Sequence, residues 1–363
     1  MTRIIFHTGT PKTGTSSFQR FLAANVQPLT DRGLAPVRAG SGGGGAHQQL
    51  VRALLGRMSD AKSELIRSDF WQEVESAPQQ DFIVSAESFA GHVRADRAAP
   101  QRFQAVVERA RQAGHEIHFL VLLRHTPSIL ESSYSQQAKS FRAQVDFATR
   151  VDQACAKPSY FRIHVETLKR FGLPVILLPF NSEIRRHGIE RTIVERLGYS
   201  FDGLVPAEPA NERAGICLVG ASLALTQRLL ANQGISSPLA KQMARITAEE
   251  AAEIMPHDPS YRPMAPEPAR AVEEVYAVEA DQIAQTHWGR SWEETFDGEI
   301  GNQRRAVTLQ DNDDPKRYLA AARQIVAAAL PRLQDALEQP PARQWSNALV
   351  YPPRVRLAGI DFL

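Results

Sequence analysis

The segment from Ile4 to Asn25 places a polar, glycine-containing loop between an apolar stretch and a helix-forming stretch. Residues 4–6 have the pattern of a short buried strand, and apolar residues return at helical spacing after residue 17. A strand, a tight turn and a helix start direct backbone N–H groups and the positive end of the helix toward one point. This segment therefore predicts an anion-binding loop at the start of an α/β fold.

The glycine spacing in this loop matches a nucleotide-binding P-loop, but the lysine is displaced. Gly9 and Gly14 are five residues apart, as in a P-loop. An ATP-type loop carries its lysine directly after the second glycine, where this chain has Thr15. Lys12 instead comes two residues before Gly14, so an ATP-type loop is disfavoured. A helix-capping turn with a solvated Lys12 is the alternative.

A second polar junction follows the strand predicted for Ile117–Leu123. Arg124 comes directly after that strand, and ligands of open parallel α/β sheets bind at the carboxyl ends of strands. P-loop NTPases commonly place an aspartate there to organise a metal ion. Arg124 carries the opposite charge, which favours binding of a second phosphate over binding of a metal ion. Ser132 follows eight residues later and Tyr134 ten residues later, on a helix predicted from about Pro127.

Together the two junctions resemble the nucleotide-binding motifs of sulfotransferases that use 3′-phosphoadenosine 5′-phosphosulfate (PAPS). The sequence PKTGTSS resembles the 5′-phosphosulfate loop of that family, and Arg124 followed by Ser132 resembles its 3′-phosphate motif. The family's common proline two residues after the arginine is replaced here by Thr126. The resemblance extends, more weakly, over roughly Arg3 to Asn211. The helix in LRHTPSILESSYSQQAK is similar to that of a bacterial subgroup of the family.

The resemblance implies a role for each residue of the two motifs. Lys12 would contact the oxygen that joins sulfur to phosphorus. Arg124 would pair with the 3′-phosphate in fork geometry, and Ser132 would donate its hydroxyl proton to the same group. PAPS would be the co-substrate and 3′-phosphoadenosine 5′-phosphate (PAP) the product, with no metal required. The residues implied to hold the 5′-phosphate are Thr13, Gly14, Thr15 and Ser16.

Sulfuryl transfer also needs a base for the proton of the acceptor. In cytosolic relatives this base is a histidine directly after the strand that precedes the arginine-bearing strand. That place holds Glu87 here, beyond a strand predicted for Phe82–Ser85, and we expect the two strands to be neighbours in the sheet. His47 and His92 are alternative bases. A carboxylate that braces its own turn or pairs with Lys12 is the non-catalytic alternative.

Strands and helices alternate along the first part of the chain, which predicts a three-layer α/β/α fold with a central parallel sheet, like that of P-loop NTPases. Four strands are expected, the last within Leu173–Phe180. Residues 1–213 are expected to form the PAPS-binding core. Residues 214–338 would be a helical part that completes the same domain and shapes the acceptor pocket, and residues 339–363 an extended tail. The run Gly42–Gly45 predicts a mobile loop.

The composition narrows the classes of partner. A net charge of +2 gives no support for binding to nucleic acid or to an anionic membrane. Cys155 and Cys217 lack metal-ligand spacing. Because these two cysteines do not suggest a disulfide framework, a reducing compartment is favoured. The longest apolar runs have the length of strands and fall far short of a bilayer span. We therefore expect a cytoplasmic protein without a metal site or a transmembrane segment.

The leading functional hypothesis is a sulfotransferase that moves the sulfuryl group of PAPS to the hydroxyl of a small-molecule or carbohydrate acceptor. A carbohydrate or glycolipid is favoured by the resemblance alone. A P-loop kinase or nucleotide hydrolase is the enzymatic alternative, which the positions of Lys12 and Arg124 oppose. A non-catalytic nucleotide-binding module is the third hypothesis. The sequence leaves the acceptor and the oligomeric state open.

Overall fold

The chain folds around a five-stranded, all-parallel sheet with abundant helix, which makes it an α/β protein, as predicted. The computed structural model describes residues 2–156, 165, 167–208, 214–230, 237–304, 315–338, 356–357 and 360–361. Asn211 and most of the predicted tail lie outside the described residues.

The sheet places the first strand of the chain at its centre. The strands are β1 (Thr2–His7), β2 (Leu34–Pro36), β3 (Asp81–Ser85), β4 (His115–Leu123) and β5 (Val175–Pro179). Their order is β2-β3-β1-β4-β5, and each neighbouring pair is parallel. The expectation that β3 and β4 are neighbours is therefore wrong, because β1 lies between them. Chain order alone does not determine on which side of β1 a later strand pairs.

The edge strand β2 was not among the predicted strands. Its three residues follow Gly33 and include Pro36, which together suggest a turn. The strand pairs only with β3, where Pro36 lies opposite Ile83. Proline is tolerated in an edge strand because the N–H that it lacks is not needed by a second neighbour.

Helices pack on both faces of the sheet, because successive residues of each strand point to opposite sides. One face has a mainly aliphatic core that joins the strands to helices Thr15–Ala24 and Ile189–Arg196; it includes Ile5, Ile83, Leu120, Phe18, Leu22 and Ile193. On the other face, Phe6 packs edge-on against Phe103 with ring centroids 5.3 Å apart, and also against Phe89. Both faces of the parallel sheet are thus buried.

The described residues divide into two units, each drawn from three segments. Unit 1 comprises Met1–His125, Ser159–Asn211 and Tyr276–Glu299, and unit 2 comprises Thr126–Pro158, Glu212–Val275 and Ile300–Leu363. Unit 1 contains the sheet and the helices Thr15–Ala24, Val26–Thr30, Gln48–Leu54, Asp60–Glu75, Phe89–Ala95, Ala99–Gln112, Ser182–His187 and Ile189–Arg196. Unit 2 contains the helices Thr126–Lys139, Phe147–Cys155, Ile216–Leu230, Ser237–Ile254 and Pro315–Glu338. The helices Pro266–Trp288 and Trp292–Arg304 each include a boundary between units.

Unit 2 has a helical core of its own, to which the helix Thr126–Lys139 belongs. Tyr134 and Ala138 of that helix are buried together with Cys217 and Val219 of the helix Ile216–Leu230. This packing explains why residues 126–158 group with the helical part, whereas the sequence suggested a boundary at residue 213.

The last described residues form a two-stranded antiparallel ladder, β6 (Arg356–Leu357) with β7 (Ile360–Asp361). Across the described ranges, no helix combines the length and the apolar character needed to cross a bilayer.

Candidate functional site

Three neighbouring strands bring the predicted site segments of unit 1 to one edge of the sheet. Strand β1 leads into the loop that carries Lys12, β3 leads into the turn that carries Glu87, and β4 ends next to Arg124. Parallel strands have their carboxyl ends at the same edge, and the order β3-β1-β4 puts the Lys12 loop in the middle. The loop is therefore flanked by an acidic segment on one side and by a basic residue on the other.

The backbone of the loop depends on two residues with left-handed conformation. Gly14 has φ of 76°, a conformation that strains any residue with a side chain, and a Cβ there would lie 2.7 Å from Cδ1 of Ile189, which would have to shift. Lys12 has φ of 68°, which is uncommon for a residue with a side chain. Left-handed backbone costs a non-glycine residue roughly 1–2 kcal/mol. Such strain is typical of loops whose shape serves a site.

Hydrogen bonds to strand β4 anchor the loop. The backbone N–H of Thr8 donates to the carbonyl of Leu120 over 2.9 Å, and the hydroxyl of Thr10 donates to the carbonyl of Leu122 over 2.7 Å. Thr13, a predicted phosphate ligand, donates its hydroxyl proton to the carbonyl of Thr10 over 2.6 Å. That proton holds the turn in this conformation.

The three hydroxyl residues after Gly14 differ in what they contact. Thr15 is buried, and its hydroxyl has no hydrogen-bond partner. Ser16 is exposed in the first turn of the helix, and Ser17 donates to the carboxylate of Glu190. A buried polar group without a partner costs about 1–3 kcal/mol, and an oxyanion on the loop would remove that cost for Thr15. The donor set of the loop therefore fits a phosphate or phosphosulfate group.

Arg124 is joined directly to the loop. Its Nη1 donates to the backbone carbonyl of Lys12 over 2.7 Å. Its guanidinium lies over the ring of Phe180, 5.5 Å from the centroid, and the residue is only 9% exposed. A guanidinium has five N–H donors in a rigid fork, so it can hold the loop with one arm and serve an anion with another.

Glu87 and Lys12 interact electrostatically across the edge of the sheet. Burial raises the pKa of the half-buried Glu87 carboxyl, and the positive charge of Lys12 opposes part of that rise. A carboxylate with a raised pKa is a stronger base, which is the requirement for general-base catalysis near neutral pH. The structure thus brings together two of the residues predicted to act on the transferred group.

His47 uses both ring nitrogens within the fold. Nε2 donates to the carbonyl of Val37 over 2.5 Å, and Nδ1 accepts from the backbone N–H of Ser85 over 3.0 Å. The residue is fully buried, and burial lowers its pKa. In this arrangement His47 fixes the end of β3 and has no ring nitrogen left for an acceptor hydroxyl.

His92, the other alternative base, lies half-buried on the helix Phe89–Ala95. Burial lowers its pKa, and the positive charges of Arg57 and Arg52 lower it further. His92 is therefore kept neutral among cations.

The structure also shows a buried polar network beneath the loop that sequence reasoning missed. His7, the last residue of β1, is fully buried, and its Nδ1 lies 2.9 Å from the hydroxyl oxygen of Ser85. Nε2 of Gln19, on the first helix, donates to the same hydroxyl oxygen over 3.2 Å. Burial lowers the pKa of His7 to about 3, and its Nε2 has no partner. A histidine between an apolar strand and a glycine loop is the sequence signal that could have indicated it.

The run Gly42–Gly45 forms a hydrogen-bonded turn beside the first helix. The N–H of Gly42 donates to the carbonyl of Ala46, and the N–H of Gly45 donates to the carbonyl of Gly42. A Cβ at Gly45 would lie 2.1 Å from the carbonyl oxygen of Gln19. The last glycine of the run is thus required by close packing against the helix that follows the loop.

The remaining predicted ligand, Ser132, lies in unit 2. It is half-buried on the helix Thr126–Lys139. Tyr134, two residues on, is a core residue: it packs edge-on against Phe147 at 5.2 Å, and burial raises its pKa.

Among the described residues, no cluster of three or more histidine, cysteine, aspartate or glutamate side chains could hold a metal ion. No protein-family model, no curated protein and no solved structure matches this chain.

Proposed function

We propose that this protein is a PAPS-dependent sulfotransferase with a fold of the P-loop NTPase type. One observation carries the proposal: the carboxyl ends of the three neighbouring strands β3, β1 and β4 are followed by Glu87, the Lys12 loop and Arg124, respectively. A base, a cation for the leaving oxygen and a cation for a remote phosphate are the groups that sulfuryl transfer from PAPS requires. The motif spacing in the sequence supports the same assignment.

In the proposed reaction, PAPS lies on the Lys12 loop with its sulfur facing the acceptor. The acceptor hydroxyl oxygen forms a bond to sulfur while the bond from sulfur to the bridging oxygen breaks, and that electron pair leaves on PAP. The transition state disperses negative charge, as in phosphoryl transfer, so positioned cations contribute most of the catalysis. Lys12 stabilises the charge that develops on the bridging oxygen.

The other residues bind or move a proton. Glu87 accepts the proton of the acceptor hydroxyl, a role that its raised pKa supports. Arg124 binds the 3′-phosphate, and the role of Ser132 stays a prediction from the sequence. The acceptor is proposed to be a hydroxyl of a small molecule or carbohydrate, and the enzyme to be cytoplasmic.

The cofactor assignment is tested by ligand-dependent stability in the presence of EDTA. PAP at about 100 times its Kd should stabilise the fold by about 2.7 kcal/mol without any metal, because Lys12, Arg124 and loop amides meet the anion charge. Adenosine 5′-phosphosulfate, which lacks the 3′-phosphate of PAPS, should bind more weakly than PAPS. A shift that requires magnesium, or a preference for ATP over PAP, would instead favour a kinase or nucleotide hydrolase.

Catalysis requires a separate measurement, because a non-catalytic module could also bind PAP. Transfer of labelled sulfate from PAPS to a panel of hydroxyl acceptors should occur with the wild-type chain and fall sharply in Lys12→Ala. Tight PAP binding without transfer to any acceptor would support the binding module.

A further inference from the structure

The proposed reaction leaves His7 without a role, although its side chain is fully buried next to the loop. Its Nδ1 is 2.9 Å from the hydroxyl oxygen of Ser85. That oxygen already accepts from Nε2 of Gln19, which also lies 3.5 Å from the carbonyl of Ser85. The hydroxyl proton of Ser85 is then directed to Nδ1 of His7, because a buried hydroxyl needs an acceptor.

This direction of hydrogen bonding determines the tautomer of His7. A neutral imidazole carries one ring proton, and if Nδ1 accepts, the proton is on Nε2. The fully buried ring is neutral, since burial lowers its pKa to about 3. His7 therefore presents an N–H donor, with no positive charge, on the side away from Ser85.

The donor of His7 and the hydroxyl of Thr15 converge on the same place in the loop. A Cβ built on Gly9 would lie 3.1 Å from Nε2 of His7 and 2.9 Å from Oγ1 of Thr15. Both atoms are buried, and neither has a hydrogen-bond partner. Gly9 lacks the side chain that would separate them.

We propose that His7 is a positioning residue that orients the hydroxyl of Thr15 toward the anion bound by the loop. When the anion is bound, the N–H of His7 donates to Oγ1 of Thr15, a hydrogen bond that this structure does not contain, and Thr15 donates its own proton to an oxygen of the anion. The donors then run in one direction, from Gln19 through Ser85, His7 and Thr15. This inference rests on the proposed function only in taking the anion to be the 5′-phosphosulfate end of PAPS.

This relay of Gln19, Ser85, His7 and Thr15 would satisfy two buried groups at once, Nε2 of His7 and Oγ1 of Thr15, which have no hydrogen-bond partner in this structure. A hydroxyl donates one hydrogen bond and accepts up to two, so Thr15 can serve the anion and His7 simultaneously. Hydrogen bonds in such a chain polarise one another, and an anion at its end strengthens each of them. The relay adds donors to the site without adding charge.

Two substitutions of His7 separate the relay from a purely structural role. His7→Gln places a side-chain amide donor near the position of Nε2 and gives up the contact with Ser85. His7→Asn retains a partner for Ser85 near the position of Nδ1 and removes the donor to Thr15. We expect His7→Asn to weaken PAP binding about 2- to 10-fold, as loss of one neutral hydrogen bond implies, and His7→Gln to bind within about 2-fold of wild type.

The measurement is calorimetric titration with PAP of the folded variants, with Thr15→Val as background in a double-mutant cycle. In Thr15→Val the change His7→Asn should have no further effect on affinity, because the relay is already broken. Equal affinity of His7→Asn and wild type, or equal losses for His7→Asn and His7→Gln, would overturn the proposal.

A spectroscopic readout on the wild-type chain covers the case in which a variant does not fold. With ¹⁵N-labelled histidine, saturation with PAP should shift the protonated Nε2 of His7 and leave Nδ1 unprotonated. An unprotonated Nε2, or a resonance that does not move, would contradict the relay.

Failure of the proposed function would look different. If the wild-type chain does not bind PAP, the function fails, and pyrophosphate then serves as the probe of the loop in the same titrations. A loss of pyrophosphate affinity in His7→Asn, restored in His7→Gln, would support the relay without PAPS. Unchanged affinity for pyrophosphate in His7→Asn, or no binding of either anion, would overturn the proposed relay.

Discussion

Arg124 donates a hydrogen bond from Nη1 to the backbone carbonyl of Lys12 over 2.7 Å. The two residues are far apart in the sequence, and they meet because β1 and β4 are neighbours in the sheet. Lys12 has the left-handed backbone conformation, so the bond holds a strained residue in place. The residue proposed to bind the 3′-phosphate thus also shapes the loop proposed to bind the phosphosulfate.

Arg124→Ala is expected to affect both binding and rate. Loss of a charged hydrogen bond to the 3′-phosphate should raise KM for PAPS by about 10- to 100-fold. Release of the Lys12 carbonyl should lower kcat by a smaller factor, because the loop is no longer fixed. Steady-state kinetics at varied PAPS concentration would show both effects. A pure change in kcat would contradict a phosphate-binding role.

Lys12→Ala is expected to act mainly on the chemical step. The ammonium stabilises charge that develops only as the bridging oxygen leaves, so its loss should lower kcat while KM changes little. The check is single-turnover kinetics at saturating PAPS. Equal losses of binding in Lys12→Ala and Arg124→Ala, with kcat intact, would remove the proposed division of roles.

The strain at Lys12 predicts a difference in stability between two variants that lack the same charge. Glycine adopts φ of 68° without cost, whereas alanine does not, so Lys12→Gly should be more stable than Lys12→Ala by about 1 kcal/mol. Both variants should lose kcat to the same extent. Urea unfolding of the two variants gives the comparison. Equal stability would mean that the loop relaxes when the lysine is removed.

The parts of the fold that the sequence predicted are those encoded locally. The loop of Gly9 and Gly14 and the junction at Arg124 each lie within one strand-to-helix segment, where apolar periodicity and turn residues are sufficient. The strand order was not encoded in this way. That β1 separates β3 from β4 depends on which edge of a growing sheet each strand joins, and this is decided by packing across the whole unit.

The buried histidines show the same limit of sequence-based prediction in the candidate site. Each acquires its role from residues distant in sequence: His7 from Ser85, and His47 from Val37 and Ser85. A single sequence does not show such partners, so it leaves His47 as a candidate base and assigns no role to His7. Only the three-dimensional contacts show that His47 is bound at both nitrogens while His7 is bound at one.

His7 is also expected to make the stability of the protein depend on pH. Its pKa is about 3 in the folded chain, against an ordinary value of 6.5, so the unfolded chain binds the proton first. The contribution of the neutral ring is complete above pH 6.5 and is lost progressively as the pH falls toward 3. Below pH 6.5, both His7→Gln and His7→Asn should reduce the slope of the unfolding free energy against pH by up to the equivalent of one bound proton. Urea unfolding between pH 7 and 4 would test this, and an unchanged slope would contradict it.

Glu87→Gln is expected to abolish most catalysis while leaving the nucleotide site intact. The substitution keeps the shape of the side chain and removes its basicity, so kcat should fall by about 10²- to 10⁴-fold with PAP binding retained. Glu87→Asp, which keeps a carboxylate on a shorter chain, is the matched control and should retain more activity. Activity of Glu87→Gln within a few-fold of wild type would indicate that Glu87 only stabilises its own turn. His92 would then be tested as the base.

The pH profile gives an independent check on the same residue. The base acts when deprotonated, and burial raises the pKa of Glu87, so activity should fall as the pH drops through a value above the ordinary 4.5. Lys12 opposes that rise, and its removal in Lys12→Ala should therefore move the acid limb of the residual activity to higher pH. The limb should vanish in Glu87→Gln. An acid limb that is the same in wild type, Lys12→Ala and Glu87→Gln would belong to another group, and Glu87 would not be the base.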